Sequence, residues 1–336
     1  MKAALLRDFN KSIEIEEVPI PRPKPNQALV KIQASGLCHT DIHTMHGHWP
    51  VKPRLPVIPG HEGVGIIESM GGKVLGWKTG DRVAISWLGR TCMECYFCKS
   101  GQENYCSGQF HSGYSINGCH AEYAVADARF LSRVPAGIAD HEAAPLACAG
   151  LTAFASVERG GPLEGKIAVI MGVGGLGHLA IQYARLKGAR VAAIDIHPEK
   201  LALAESLGCE KELCLEPSKA AEVLKKLALP LTVFCFSADP LAPAQSLALL
   251  PIGGTLVFAS LPQQATLEIP AFDLVTRGWT IAGSYVGTRK QLEEVFRLHA
   301  EGKTRVQVET RPLVEIKQAL HDLEKGSVQG RVVLIP

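Results

Sequence analysis

The sequence has no long hydrophobic run. No stretch approaches the ~20 apolar residues that a bilayer-spanning helix needs, so no membrane-crossing segment is expected. It also has no basic run or stripe, and its formal net charge is only +2, so nothing calls for a nucleic acid or a membrane surface as partner. Charged residues make up 20% and apolar ones 46%, a balance that excludes a disordered chain. Internal repeats and low-complexity segments are absent. Cysteine is too sparse for a disulfide scaffold, at ten in 336 residues. The opening MKAALLRDFN turns charged before any useful apolar core, so no signal peptide is read there and a cytoplasmic location is expected.

The length allows two domains on a prior of about 150 residues each. The first 140 residues are rich in Pro and Gly, with short β-type runs at Ala28–Ile32, Val64–Glu68 and Val83–Trp87, and read as an all-β body with long loops. From about Cys148 the pattern alternates. Lys166–Met171 reads as a strand, Gly177–Leu186 as a helix and Arg190–Ile194 as a strand. Glu199–Leu207 and Lys290–Ala300 read as helices, and Leu231–Phe236, Thr255–Ala259 and Arg331–Ile335 as strands. Such alternation predicts a parallel, doubly wound α/β sheet. No linker is visible, which favours insertion of this second domain into the first.

Gly172-Val173-Gly174-Gly175-Leu176-Gly177 follows a strand and opens a helix, and Asp195 ends the next strand. A glycine-rich turn alone is weak evidence, but this setting is that of a dinucleotide site. Gly172 permits the tight turn, Gly174 lets backbone approach a pyrophosphate, and Gly177 lets helix and sheet pack closely. The helix start offers free N–H groups and a positive dipole end. Asp195 would accept ribose hydroxyls and repel a 2′-phosphate. Ile196, His197 and Pro198 bring no Arg, so NAD is favoured over NADP. The plainer alternative is a tight turn with no ligand.

Four cysteines, Cys92, Cys95, Cys98 and Cys106, lie within fifteen residues. Four thiolates this close predict a closed, structural zinc site, with an iron–sulfur cluster as the alternative. Cys38, His61 and Cys148 would form a Cys₂His set with one open position, the composition of a catalytic zinc in alcohol oxidation. Each alone would pass for a core residue, and their spacing does not link them.

The segments GLCHTDIH, PGHEGVG, GDRVAISWL, CMECYFC, APLACAG, GVGGLGHLAIQYA and GSYVGTRK resemble the medium-chain zinc-dependent alcohol dehydrogenases, in particular their microbial, ethanol-type branch. The likeness runs in the same order along the whole chain. It implies a GroES-like β-rich catalytic domain at 1–147 and 287–336, and a Rossmann NAD-binding domain at 148–286. It implies catalytic zinc on Cys38, His61 and Cys148, with Glu62 as a close, transient ligand, and structural zinc on the four clustered cysteines. Thr40 would take the alcohol proton and pass it through the nicotinamide ribose to His43, and Asp41 would fix the His61 ring. His39 and Arg331 match pyrophosphate contacts, and Leu176, Gly175 and Lys200 join the cofactor set. Trp49 and Trp87 match the substrate cleft, where large aromatics favour small primary alcohols; ordinary core packing is the alternative. A homotetramer, or a dimer through the nucleotide domains, is implied. Polyol, amino-alcohol or aromatic-alcohol dehydrogenases are the nearest competing functions. A non-catalytic NAD sensor is the more distant one, and the intact Cys38, Thr40, His61 and Cys148 argue against it.

The chain departs from the family pattern in places. Met93 stands where Gly is frequent, and Ala147 where a larger apolar residue is common. Asn117-Gly118-Cys119-His120 replaces glycine and an aromatic, and Cys119 and His120 are expected to neighbour the zinc lobe without ligating. The apolar segment Leu229–Pro243, with Cys235, has no functional reading.

Overall fold

The computed structural model describes residues 1–227, 229–263 and 265–336. It divides into two compact units, Met1–Leu151 with Thr288–Pro336, and Thr152–Gly287. The second is thus an insertion in the first. The division falls four residues later than the sequence boundary at 147/148, because one helical run carries the chain through it: Asp140–Pro145, a π-helical Leu146–Gly150, then Leu151–Arg159. Cys148 therefore belongs to the first unit.

The first unit is built on a seven-stranded sheet. Its order is Val308–Pro312, Arg331–Ile335, Gln27–Gly36, Gly63–Met70, Arg82–Ile85 and Ser132–Arg133, with Tyr123–Asp127 also pairing Gln27–Gly36. Leu29, Ile32, Ala34 and their neighbours bury most of the long strand, and bulges between Leu29/Val30 and Ile32/Ala34 bend it. One core gathers Leu6, Ile13, Leu37, Ile42, Ile316 and Leu334, joining the two chain ends. Another fills the sheet with Val30, Ile67, Val83 and Ile85.

Helices His39–His46 and Tyr96–Lys99 depart from the all-β expectation for the first 140 residues, and the tail departs from its own. The CHTDIH segment forms a helix, His39–His46, whose apolar positions are too few to show a 3.6 period. The tail holds two helices, Arg289–Ala300 and Ile316–Glu324, and two strands, where one of each was expected.

The inserted unit carries a six-stranded sheet, wholly parallel, ordered Cys214–Leu215, Arg190–Ile194, Ile167–Met171, Leu231–Cys235, Thr255–Phe258 and Thr280–Gly283. Strand order reverses at Ile167–Met171, and in open α/β sheets ligands bind beyond the carboxyl ends of strands at that point. All five residues of this strand are buried, as a strand covered on both faces requires. The apolar 229–243 segment is explained by packing: Leu231–Cys235 is the adjoining, fully buried strand, and Cys235 ends it beside Ser260. The two edge strands and the helices Pro217–Lys226, Ala242–Ala248 and Ala271–Thr276 add elements not read from sequence.

Ile170 is fully buried in the middle of the central strand. Ile170→Ala should cost about 2–5 kcal/mol, read as a lowered urea midpoint; an unchanged midpoint would contradict this packing.

Candidate active site

Strand Gln27–Gly36 ends one residue before Leu37, and Cys38 then starts helix His39–His46. Asp41, in the first turn, reaches back so that its Oδ2 accepts the Cys38 N–H at 2.9 Å, while its Oδ1 accepts the Gly60 N–H at 3.2 Å. These two bonds bring the Cys38 corner and the Gly60-His61-Glu62 corner together. Asp41 Oδ1 also lies 3.9 Å from His61 Nδ1, so the ring's other nitrogen is turned away from it. Cys148 comes from the π-helical turn, an irregularity frequent at functional sites.

Cys38, His61, Glu62 and Cys148 are all buried, and one ligand atom from each lies within 4.8 Å of the others. Among the described residues, His61 Nε2 and Glu62 Oε2 are buried with no hydrogen-bond partner. Such orphaned groups cost about 1–3 kcal/mol each, a cost that an ion between them removes. Two thiols, an imidazole and a carboxylate form a donor set that suits zinc.

Arg331 is buried, and its Nη2 donates to Glu62 Oε1 at 2.5 Å. Burial lifts the Glu62 carboxyl to about 7, even beside that guanidinium. This contact joins the last strand to the site, and nothing in the spacing of residues 62 and 331 foretold it. His39 is half-buried at the start of the helix, and burial lowers its pKa.

The Cys38 thiol approaches Thr40 Oγ1 at 3.6 Å. His43 lies one turn further along the helix, and burial lowers it to about 4, so it is neutral at pH 7 and free to take a proton. Trp49 packs on His43 with ring centroids 5.1 Å apart. Trp87 is buried, meets the His61 ring edge-on at 5.1 Å and lies 6.0 Å from Trp49. His111, stacked on Trp87 at 4.4 Å, and Tyr114, 5.4 Å from Trp49, complete this aromatic wall. Neither was read from sequence: His111 ends a two-residue strand and Tyr114 sits in a turn, both too short to carry a periodic signal.

Cys119 and His120 belong to neither metal-fitting cluster, and they lie beside Asp41 and Gly63 rather than at the four-cysteine lobe. His120 is fully buried beside Asp41, with Nε2 at 3.5 Å from Oδ2 and Nδ1 at 2.8 Å from Ser35 Oγ. Cys119 packs against Gly63, where a Cβ would lie 2.4 Å from its sulfur. Together they back the Cys38–His61 cluster.

The second cluster is Cys92, Cys95, Cys98 and Cys106, with no disulfide. Sulfur separations are 3.5 Å for Cys106–Cys92, 3.6 Å for Cys95–Cys98 and 3.9 Å for Cys92–Cys98. Four sulfurs at ~2.3 Å around one tetrahedral ion would stand ~3.8 Å apart. The Cys95 N–H donates to Cys92 Sγ at 3.4 Å and the Gly108 N–H to Cys106 Sγ at 3.3 Å. Backbone N–H groups of Glu94 and Cys95 lower Cys92 to about 6. Met93 sits at φ +65°, the left-handed region that glycine adopts freely, at a cost of roughly 1–2 kcal/mol for an L side chain.

In the inserted unit, Gly172 has φ +93°. A Cβ on Gly177 would lie 1.9 Å from the Gly172 carbonyl oxygen, so only glycine fits there. A Cβ on Gly174 would meet nothing within 4 Å among the described residues, so that glycine leaves open space over the turn. Gly175 and Leu176 lead into helix Gly177–Leu186. Asp195 Oδ2 accepts the Val173 N–H at 2.8 Å and Oδ1 the His197 N–H at 3.0 Å, so the carboxylate is fixed against the glycine turn. With about four lone-pair sites, it retains acceptor capacity for hydroxyls. Lys200 lies in the first turn of helix Pro198–Ser206. An open, glycine-lined turn at a helix start, with an acid beside it, suits a dinucleotide.

Comparison with known proteins agrees with this geometry. Residues 24–136 match the alcohol dehydrogenase GroES-like domain, and residues 175–301 the zinc-binding dehydrogenase family. The chain is 43% identical to an alcohol dehydrogenase of Geobacillus stearothermophilus over 337 residues, covering 99% of this chain and 98% of the relative. It is 42% identical to one of Moraxella sp. (strain TAE123), covering 99% of each. The crystal structure of the alcohol dehydrogenase from the hyperthermophilic archaeon Aeropyrum pernix superposes with a TM-score of 0.91, at 33% identity and with 100% of both chains covered. With two zinc-fitting clusters, a dinucleotide turn and relatives of this kind over its whole length, the chain belongs to the medium-chain zinc-dependent alcohol dehydrogenase family.

Proposed function

We propose that this chain oxidises small, primary alcohols to aldehydes with NAD, reversibly. The observation that carries the reading is the buried Cys38–His61–Cys148 set with an orphaned His61 Nε2, beside Thr40 and a neutral His43. Zinc held there supplies Lewis acidity that lets an alcohol lose its proton at neutral pH. NAD supplies the hydride acceptor. Thr40 and His43 are three apart on one helix, so they share a face, and they carry the released proton outward. Asp41 holds the His61 ring, and His120 supports Asp41. Glu62, tied to Arg331, is the close fourth group. Trp49 and Trp87 exclude bulky substrates and water. His39 and Arg331 are assigned to the pyrophosphate, and Lys200 to the cofactor's adenosine half. Asp195 selects NAD by repelling a 2′-phosphate. Zinc on the four clustered cysteines is structural.

Exposed Leu241, Ile252, Phe272 and Val275 on the inserted unit support self-association there, as a dimer or a tetramer. None of the ten cysteines is in a disulfide, which fits a reducing, cytoplasmic setting. Among the described residues, no helix is long and apolar enough to cross a membrane.

The zinc-loaded protein should reduce NAD⁺ with short primary alcohols and be silenced by a chelator. Turnover confined to polyols, amino alcohols or NADP⁺ would displace the assignment. Gly174→Ala should melt like the parent yet bind NAD at least tenfold more weakly, about 1.4 kcal/mol. Gly177→Ala should lose both fold stability and binding, and equal behaviour of the two would refute the division of roles. Cys106→Ser should lower bound zinc by about one equivalent per chain and depress the melting temperature; full zinc content would remove the structural-zinc assignment.

A further inference from the structure

The helix His39–His46 ends in a tight reversal. Gly47 takes φ +60°, its N–H donates to the Thr44 carbonyl at 3.3 Å, and the His48 N–H donates to the His43 carbonyl at 3.1 Å. A Cβ at Gly47 would press on the Phe9 ring at 2.9 Å, so glycine is required there. The reversal folds the His48 ring back onto the His43 ring. Their Nδ1 atoms stand 3.1 Å apart, a hydrogen bond in which one ring donates and the other accepts.

His43 is hemmed on its other sides by Trp49 at 5.1 Å and His39 at 5.8 Å between centroids. His48 in turn stacks on His46 at 5.0 Å. His46 is held outside by Asn10 and by Glu324, the latter at 3.1 Å. His39, His46 and Lys52 place positive charge or its potential near His48, and Glu324 opposes them.

From this juxtaposition we infer that His48 is the outlet of the proton path, receiving the proton from His43 and releasing it to solvent. The inference rests on the alcohol-oxidation reading above. With the shared proton on His43 Nδ1 and His48 protonated on Nε2, a proton arriving at His43 Nε2 forms an imidazolium. The Nδ1 proton then moves to His48 Nδ1, and His48 gives its Nε2 proton to water or buffer base. One proton enters, one leaves, and no electrons move. Exchange with water resets the two tautomers. Because His43 is lowered to about 4, it does not retain the proton at neutral pH. His48 acts on the known reaction without touching the reacting carbon.

The test follows one turnover of the zinc-loaded protein with NAD⁺ and alcohol in weak buffer, reading NADH by absorbance and the proton with an indicator dye. In the parent the two signals should coincide. In His48→Asn and His48→Gln, proton appearance should slow by about tenfold, and millimolar imidazole should restore it. His48→Asp keeps a group that can accept a proton and should stay near the parent rate. Proton release at the parent rate in both amide variants, or a slowing that imidazole fails to restore, overturns the outlet role. Absence of NADH from the parent itself would instead overturn the alcohol-oxidation reading.

Discussion

One buried carboxylate organises the first unit. Asp41 is fully buried and accepts two backbone N–H bonds, one from Cys38 in its own turn and one from Gly60, nineteen positions further on. It also faces two imidazoles, His61 and His120. Burial raises an acid's pKa, but His120 and His61 more than offset it, so the group is held below its ordinary value and stays charged. A charge in that position is satisfied only when all four neighbours are in place. The helix carrying Thr40 and His43, the His61 loop and the strand carrying Ser35 are therefore positioned together.

A second long-range tie works in the same sense. Arg331 and Glu62 are separated by 269 positions and meet in a dry pair. Breaking such a pair by removing one partner costs about 3–5 kcal/mol, so the C-terminal strand cannot leave the sheet without exposing a stranded charge. The strand Arg331–Ile335 pairs with Gln27–Gly36 just before Cys38. The inserted unit thus interrupts a domain whose two ends must find each other, and the site is built where they do.

The inserted unit was the more legible half. Its strands are buried on both faces and read as apolar runs, and Gly177–Leu186 and Arg190–Ile194 carry the same bounds in sequence and structure. Edge strands were missed: Cys214–Leu215 is two residues long, and Thr280–Gly283 is only half-buried, too little to stand out. In the first unit the four-cysteine cluster was legible from its spacing, whereas the other ligand set was tied together only by the resemblance to a family. Cys38, His61 and Cys148 have no common spacing, and hydrogen bonds to Asp41 are what bring the first two together. His111 and His48 were invisible, and the Asp41 contact of His120 unforeseen, for a related reason. A single histidine outside a long helix or strand has no period, and its role comes from the partner that folding places beside it.

The four-cysteine lobe is where a bound metal would matter most to the fold. Helix Tyr96–Lys99 buries none of its residues, and Tyr96, Phe97, Met93 and Phe110 are all exposed. The lobe has no hydrophobic core of its own to offset the conformational entropy of ordering about fifteen residues, at roughly 1–2 kcal/mol each. Part of what holds it is local: N–H···S bonds, the Met93 left-handed turn and the Glu103–Arg289 contact at its base. These are few, and the turn itself is strained. Zinc held by the four sulfurs, as proposed above, would add to that stability, since an ion that binds only the folded arrangement contributes its binding energy to folding. Coordination by Cys92 and Cys95, on either side of Met93, would then hold the strained turn in place.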